Sequence, residues 1–387
     1  MTRTIMYISG GRWDGIAGTD RLLAEALAAR GDVLWADQPV SVHRYADVRR
    51  HAFRSLNGVP EQVAPSINRL RLPALPGFSR PLVRRSTEAL AIRALASAAH
   101  KGDIAVVVNS SPVVPFPATI RAPRLLHLTD DWLAAADLLG LSRRHVERVL
   151  RANCAMADVV TAVSPGLAEK MTALAGRTVE LLPNGCRTPA AGDPDAVRRP
   201  VAALVGQLNE RLDKEILTEL GHAAVPLVVV GPRTERDPGM ARFLDGFLAL
   251  PSVDWRGAVP AEEVARILQT VAVGLTPYSV SEFNTSSFPL KTLEYLASGV
   301  PVVATDLPAT RWVGGLSVAI AGTPREFVDL VRSRIVDPPG PVRRLAIQDS
   351  ALAHTWDVRA EQLLSLVGKH QTTEPGSTRG SRHVGSK

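Results

Sequence analysis

The sequence predicts an α/β protein made of two doubly wound parallel-sheet domains facing a cleft. Three observations predict it. Short apolar runs alternate with helical stretches along most of the 387 residues. The runs are unbroken rather than alternating in and out, the pattern of strands covered on both faces. The alternation is interrupted by CRTPAAGDPDAVRRP at residues 186–200, which is rich in Pro, Ala, Asp and Arg, and VAALVGQL then restarts it.

Residues 1–185 form the first domain on this reading. Its strands are expected in TIMYISG, DVLWADQ, NRLRLPA, IAVVVNSS, RLLHLTD, VVTAVSP and VELLPNG, with helices such as TDRLLAEALAARG and SRRHVERVLRANCAMA between them. Residues 186–200 are the linker. Residues 201–355 form the second domain, with strands in VAALVGQL, PLVVVGP, VDWRGAV, VGLTPYS and PVVATDLP and helices such as AEEVARILQT. HTWDVRAEQLLSLVGKH is a last amphipathic helix with Asp357 as its N-cap, ending near residue 371. Residues 372–387 have almost no apolar content and are expected to be disordered.

Composition excludes several classes. Hydrophobic residues make up 45% and charged residues 21%, as in ordinary soluble domains. No run approaches a membrane span. The start, MTRTIMYISGG, has no cleavable leader pattern, so a cytoplasmic location is expected. Two isolated cysteines, Cys154 and Cys186, make neither a disulfide framework nor a zinc site. The net charge of +7 is concentrated in RRHAFRS at 49–55, RPLVRRS at 80–86 and the tail. These clusters match no nucleic-acid motif. An anionic membrane at the inner face, phosphorylated substrates or a merely solvated surface would each account for them.

Ligands of such sheets sit beyond the carboxyl ends of the strands, so the strand ends supply the candidate residues. After the first strand, Gly10 and Gly11 allow close backbone approach, and a helix N-terminus near Gly18 offers N–H groups to a phosphate or an acceptor. An ordinary βα turn is the alternative. RLLHLTDDW ends a strand with His127, Asp130 and Asp131, which would hold sugar hydroxyls or take a proton; one Asp capping a helix at Trp132 is the structural alternative. Ser164 caps a helix at Pro165. In LVGQLNERLDKEIL a strand ends at Gly206, with Arg211 and Lys214 near a helix start, suited to a diphosphate. PLVVVGP ends at Gly231, a turn against which a nucleobase can pack. Finally, Asn284, Thr285, Ser286 and Ser287 precede a helix with Pro289 in its first turn, and Lys291 and Glu294 share a face. Glu294, set among Leu293, Leu296 and Ala297, needs a partner. Either two ribose hydroxyls or Lys291 would serve.

Four stretches, ADVVTAVSPGLAEKM, VELLPNGCR, LVGQLNERLDKEIL and FPLKTLEYLASGVPVVATDLP, together resemble the GT-B glycosyltransferases, specifically the retaining family 4 type with two Rossmann-like domains. The resemblance covers roughly residues 4 to 370. It implies that Glu294 binds the ribose of a nucleotide-diphospho-sugar and that Arg211 and Lys214 bind the diphosphate. It implies a terminal helix crossing back to the first domain. It also suggests a subgroup that builds bacterial cell-surface polysaccharides and glycolipids. Ser286 stands where many relatives carry a second Glu for the donor sugar; Glu282 is the nearby candidate replacement.

The expected site is therefore Arg211, Lys214, Asp131 and His127 as catalytic groups. Glu294, Lys291, Ser286, Ser287, Asn284, Gly11, Gly206 and Gly231 hold the donor. Lys291 balances Glu294 or reaches the phosphates. No metal or cofactor is expected; the nucleotide-sugar is a co-substrate, with a glycan or lipid-linked acceptor and no nucleic acid as partner. A nucleotide-sugar 2-epimerase and a non-catalytic binding partner of the same architecture are the rival readings.

Overall fold

The computed structural model describes residues 3–15, 17–42, 46–77, 80–136, 140–188, 198–288, 290–315 and 317–373. Most of the expected linker and tail, and Pro289, lie outside the described residues.

The first domain runs β1 (Thr4–Ile8), α1 (Thr19–Ala28), β2 (Asp32–Ala36), β3 (Val40–Ser41), α2 (Ala46–Leu56), β4 (Glu61–Ala64), β5 (Ile67–Leu70), β6 (Pro73–Ala74), α3 (Pro81–Ala99), β7 (Ile104–Asn109), β8 (Arg124–Leu128), α4 (Trp132–Ala135), α5 (Arg143–Met156), β9 (Val159–Ala162), α6 (Pro165–Ala175) and β10 (Glu180–Leu181). Its sheet has the order β10-β9-β8-β7-β1-β2-β5-β4, and β3 pairs with β6 as a small ribbon. All pairs are parallel except β4 with β5.

The second domain runs β11 (Arg199–Val205), α7 (Lys214–His222), β12 (Leu227–Val230), α8 (Pro238–Leu248), β13 (Val253–Trp255), α9 (Ala261–Thr270), β14 (Val271–Thr276), α10 (Glu282–Ser286), α11 (Leu290–Ala297), β15 (Val302–Thr305), α12 (Pro308–Val313), β16 (Val318–Ala321), α13 (Pro324–Val336) and α14 (Pro341–Leu352). Its sheet is all parallel, in the order β13-β12-β11-β14-β15-β16. Because Arg199 already pairs with Val271, the strand begins inside the stretch expected as linker.

Local rules explain the element ends. Ser164 accepts a hydrogen bond from Leu167 N and Pro165 opens α6. Thr323 and Pro324 do the same for α13. The strands are buried on both faces: β9, β12, β14 and β15 have no exposed residue.

The last helix, α15 (Trp356–Thr373), leaves the second domain and packs on α1. Its stripe of Trp356, Ala360, Leu363 and Val367 joins the first-domain core with Leu22, Leu27 and Trp35. Arg30, just past α1, holds it from outside through Asp357 and Glu361. Asp357 is not the N-cap. The hydroxyl of Thr355 accepts from Val358 N, which places Asp357 within the first turn.

Candidate functional site

Each sheet has a switch point where successive crossovers turn to opposite sides, and a cleft opens at the strand carboxyl ends there. In the first sheet it lies between β1 and β7, in the second between β11 and β14. The two ends face each other. Ser164 Oγ donates to Ser286 O, Asn184 Nδ2 donates to Phe288 O, and Lys170 spans from Asp131 to Glu282.

On the first-domain side, Asp20 of α1 organises the turn after β1. It accepts from Tyr7 Oη at 3.0 Å, Ser9 Oγ at 2.9 Å and Gly10 N at 2.9 Å. Burial pushes the Asp20 pKa up against these bonds. Gly10 is the position that demands glycine, because a Cβ there would come within 2.9 Å of the Trp132 ring. Gly11 is less constrained, and its N–H is taken by Ser9 Oγ at 2.9 Å. The Gly10 and Gly11 N–H groups are therefore bound within the protein, which leaves the close backbone approach expected of this turn as its contribution to a ligand.

The three residues after β8 separate sharply. His127 is 1% exposed, and its Nδ1 lies 2.9 Å from Thr161 Oγ1. Burial lowers its pKa to about 3, so it is a neutral core residue that does not reach the cleft. Asp131 is also 1% exposed; it caps α4 by accepting from Ala134 N and takes a 2.6 Å bond from Lys170 Nζ. Asp130 is the half-buried member of the three. Burial raises its pKa to about 6; Asp20 and Asp131 add to the rise, while Arg211 and the Ser287 hydroxyl oppose it. The sequence reading chose Asp131 as the catalytic carboxylate; the cap on α4 and the bond from Lys170 occupy it and leave Asp130 as the other candidate.

On the second-domain side, Arg211 is held before any ligand arrives. Its Nε donates to Asn284 Oδ1 at 2.9 Å, and its guanidinium lies 5.1 Å from the Tyr278 ring centre and 5.0 Å from that of Phe283. Asn284 is 1% exposed and also donates to Arg211 O and Ser279 O. It is thus a clamp on Arg211 rather than a free contact for the donor. Lys214 is not brought to this group. It opens α7, is exposed, and its Nζ lies 5.9 Å from the Phe243 ring centre, on an outer groove shared with Arg325.

Asn284 and Ser286 belong to the short helix α10, which Ser281 caps, rather than to a loop. Ser286 and Ser287 are 7% and 3% exposed. Glu282 is tied to Lys170 of the first domain, which occupies the candidate replacement for the absent Glu at position 286.

Gly206 and Gly231 end the neighbouring strands β11 and β12, with φ of 149° and 145°. A Cβ on Gly231 would sit 1.7 Å from Gly206 O, so this floor admits bare backbone only. Lys291 passes over it, its Cγ 3.9 Å from where a Gly206 Cβ would lie. Lys291 Nζ pairs with Glu294 Oε2 at 2.5 Å, and both side chains remain partly exposed.

Residues 200–337 match the family model described as Glycosyl transferases group 1. The protein named "Putative teichuronic acid biosynthesis glycosyltransferase TuaH" of Bacillus subtilis (strain 168) is 35% identical over 112 residues, a match spanning 28% of this chain and 28% of that protein. Sucrose-phosphate synthase from Thermosynechococcus elongatus superposes with a TM-score of 0.70 at 16% identity, over 96% of this chain and 99% of that one. HepE of Anabaena, in complex with UDP-glucose, superposes with a TM-score of 0.63 at 15% identity, over 95% and 99%. The family model and the Bacillus relative carry glycosyltransferase names and do not favour the epimerase alternative. Residues 200–337 are therefore a group 1 glycosyl transferase domain, and the chain as a whole has the GT-B fold.

Proposed function

We propose that the protein moves a sugar from a nucleotide-diphospho-sugar to a hydroxyl of a glycan or lipid-linked acceptor, with retention of anomeric configuration. The observation that carries this reading is the guanidinium of Arg211, held by Asn284 and set over the Tyr278 and Phe283 rings beside the short helix that meets the first domain at Ser164. Breaking the sugar–phosphate bond leaves negative charge on the diphosphate and positive charge near the anomeric carbon. A guanidinium already fixed by Asn284, Tyr278 and Phe283 takes the leaving charge with little rearrangement. Lys291, above the bare floor at Gly206, is the second cation within reach of that charge. Glu294 exchanges part of its bond with Lys291 for the ribose hydroxyls. Asp130 accepts a hydrogen bond from the incoming hydroxyl, and a departing phosphate oxygen takes the proton, so the transfer balances without a further base.

The related structures support the donor class. Those of HepE from Anabaena contain UDP, UDP with glucose, and UDP-glucose. A role in cell-envelope polysaccharide synthesis draws on the name of the Bacillus relative.

Titration of UDP, GDP and dTDP into the wild type and Glu294→Ala by calorimetry tests the reading. One nucleotide should bind the wild type, and the variant should lose about 1.5–3 kcal/mol, roughly ten- to a hundred-fold in affinity. If none binds, or the folded variant binds equally well, the donor site is misassigned.

A further inference from the structure

Helix α2 turns a distinctive side outward. At about 100° per residue, Arg49, Phe53, Arg50 and Arg54 fall on one arc, and all four are exposed. Phe53 is 79% exposed, and Arg49, Arg50 and Arg54 make no ion pair among the described residues. The opposite side is occupied: Ser55 is buried, and α2 packs on α3 and β6. The same corner holds two more exposed apolar side chains, Val59 just past α2 and Leu75 just past β6. The start of α3 adds exposed Arg80 and Arg85.

We infer that this corner docks on an anionic lipid surface, with Phe53 entering the boundary between headgroups and acyl chains and the arginines contacting lipid phosphates. A soluble polyanion would engage the arginines but leave the phenylalanine in water. A bilayer surface takes both at once, which is the chemistry of an interfacial helix.

The topology gives the docking a purpose. β3 follows the carboxyl end of β2, and β4 starts opposite Arg69 near the carboxyl end of β5. Both ends of α2 therefore connect at the cleft end of the first sheet. Docking through α2 brings the cleft mouth to the membrane, where a lipid-linked hydroxyl can enter. The inference does not depend on the donor-site reading, because α2 contributes no residue to that site.

The test is co-sedimentation of the full chain with phosphatidylcholine vesicles, with and without phosphatidylglycerol. Pelleting should require phosphatidylglycerol and weaken with salt. Each of Arg49→Glu, Arg50→Glu and Arg54→Glu should lower vesicle affinity at least about five-fold. Phe53→Ala, which leaves the charge unchanged, should also lower it several-fold. Nucleotide binding by calorimetry should be unaltered in all four variants, which separates this result from failure of the donor site. Absence of phosphatidylglycerol-dependent pelleting in the wild type would overturn the inference. So would undiminished pelleting of Phe53→Ala, which would mark the arginines as a general polyanion surface.

Discussion

Asp130 illustrates how a single side chain trades stability for position. Its pKa rises from 3.8 to about 6 in the folded protein, chiefly through burial. The folded state therefore binds more protons than the unfolded chain between those values, and stability falls as pH rises through that window. Above it, the folded protein carries a charged carboxylate that burial disfavours. Asp130→Asn removes the charge. The variant should match the wild type near pH 4, unfold at higher urea concentration at pH 7, and lose transfer activity. Equal urea midpoints at pH 7 would show that Asp130 is not held in this environment. Gly231 makes the complementary point: its neighbour Gly206 leaves no room for a side chain, so the floor beneath the proposed diphosphate is fixed by sterics rather than by charge.

Among the elements, α4, α6 and α10 form a clip between the domains. Lys170 of α6 binds the buried Asp131 at the start of α4 and the exposed Glu282 at the start of α10. The two bonds are not equal in consequence. Lys170→Met leaves a carboxylate that is 1% exposed without its cationic partner, and should cost about 1–3 kcal/mol in urea unfolding. Glu282→Gln removes a carboxylate that is 67% exposed and should cost less than about 1 kcal/mol. If the two variants lose the same stability, Asp131 is better solvated than its burial implies.

For the whole molecule, the helix that returns to the first domain is decisive. Trp356, Ala360, Leu363 and Val367 complete one core cluster of the first domain, while the cluster of the second domain around Leu217, Val229 and Phe327 contains no α15 residue. Truncation after Thr355 should therefore lower the melting temperature of the first domain and split calorimetric unfolding into two transitions. A truncated chain that melts as one unit at the original temperature would mean that α15 adds nothing to that core.

The sequence by itself determined the two doubly wound α/β sheets and their candidate strand-end residues. Apolar runs, glycine turns and Pro-led helix starts are local signals, and chain order alone places strand ends together in a parallel sheet. It also placed Lys291 one turn from Glu294, since helical spacing is fixed by backbone geometry. It chose Asp131 over Asp130 and did not separate Arg211 from Lys214. Those choices depend on which neighbour takes up each charge: the Ala134 amide and Lys170 for Asp131, the Phe243 ring for Lys214, Asn284 for Arg211. Each of these neighbours except Ala134 lies more than twenty residues away along the chain. Only the tertiary structure decided them, because hydrogen bonds and burial are set by proximity in space, which local sequence pattern does not encode.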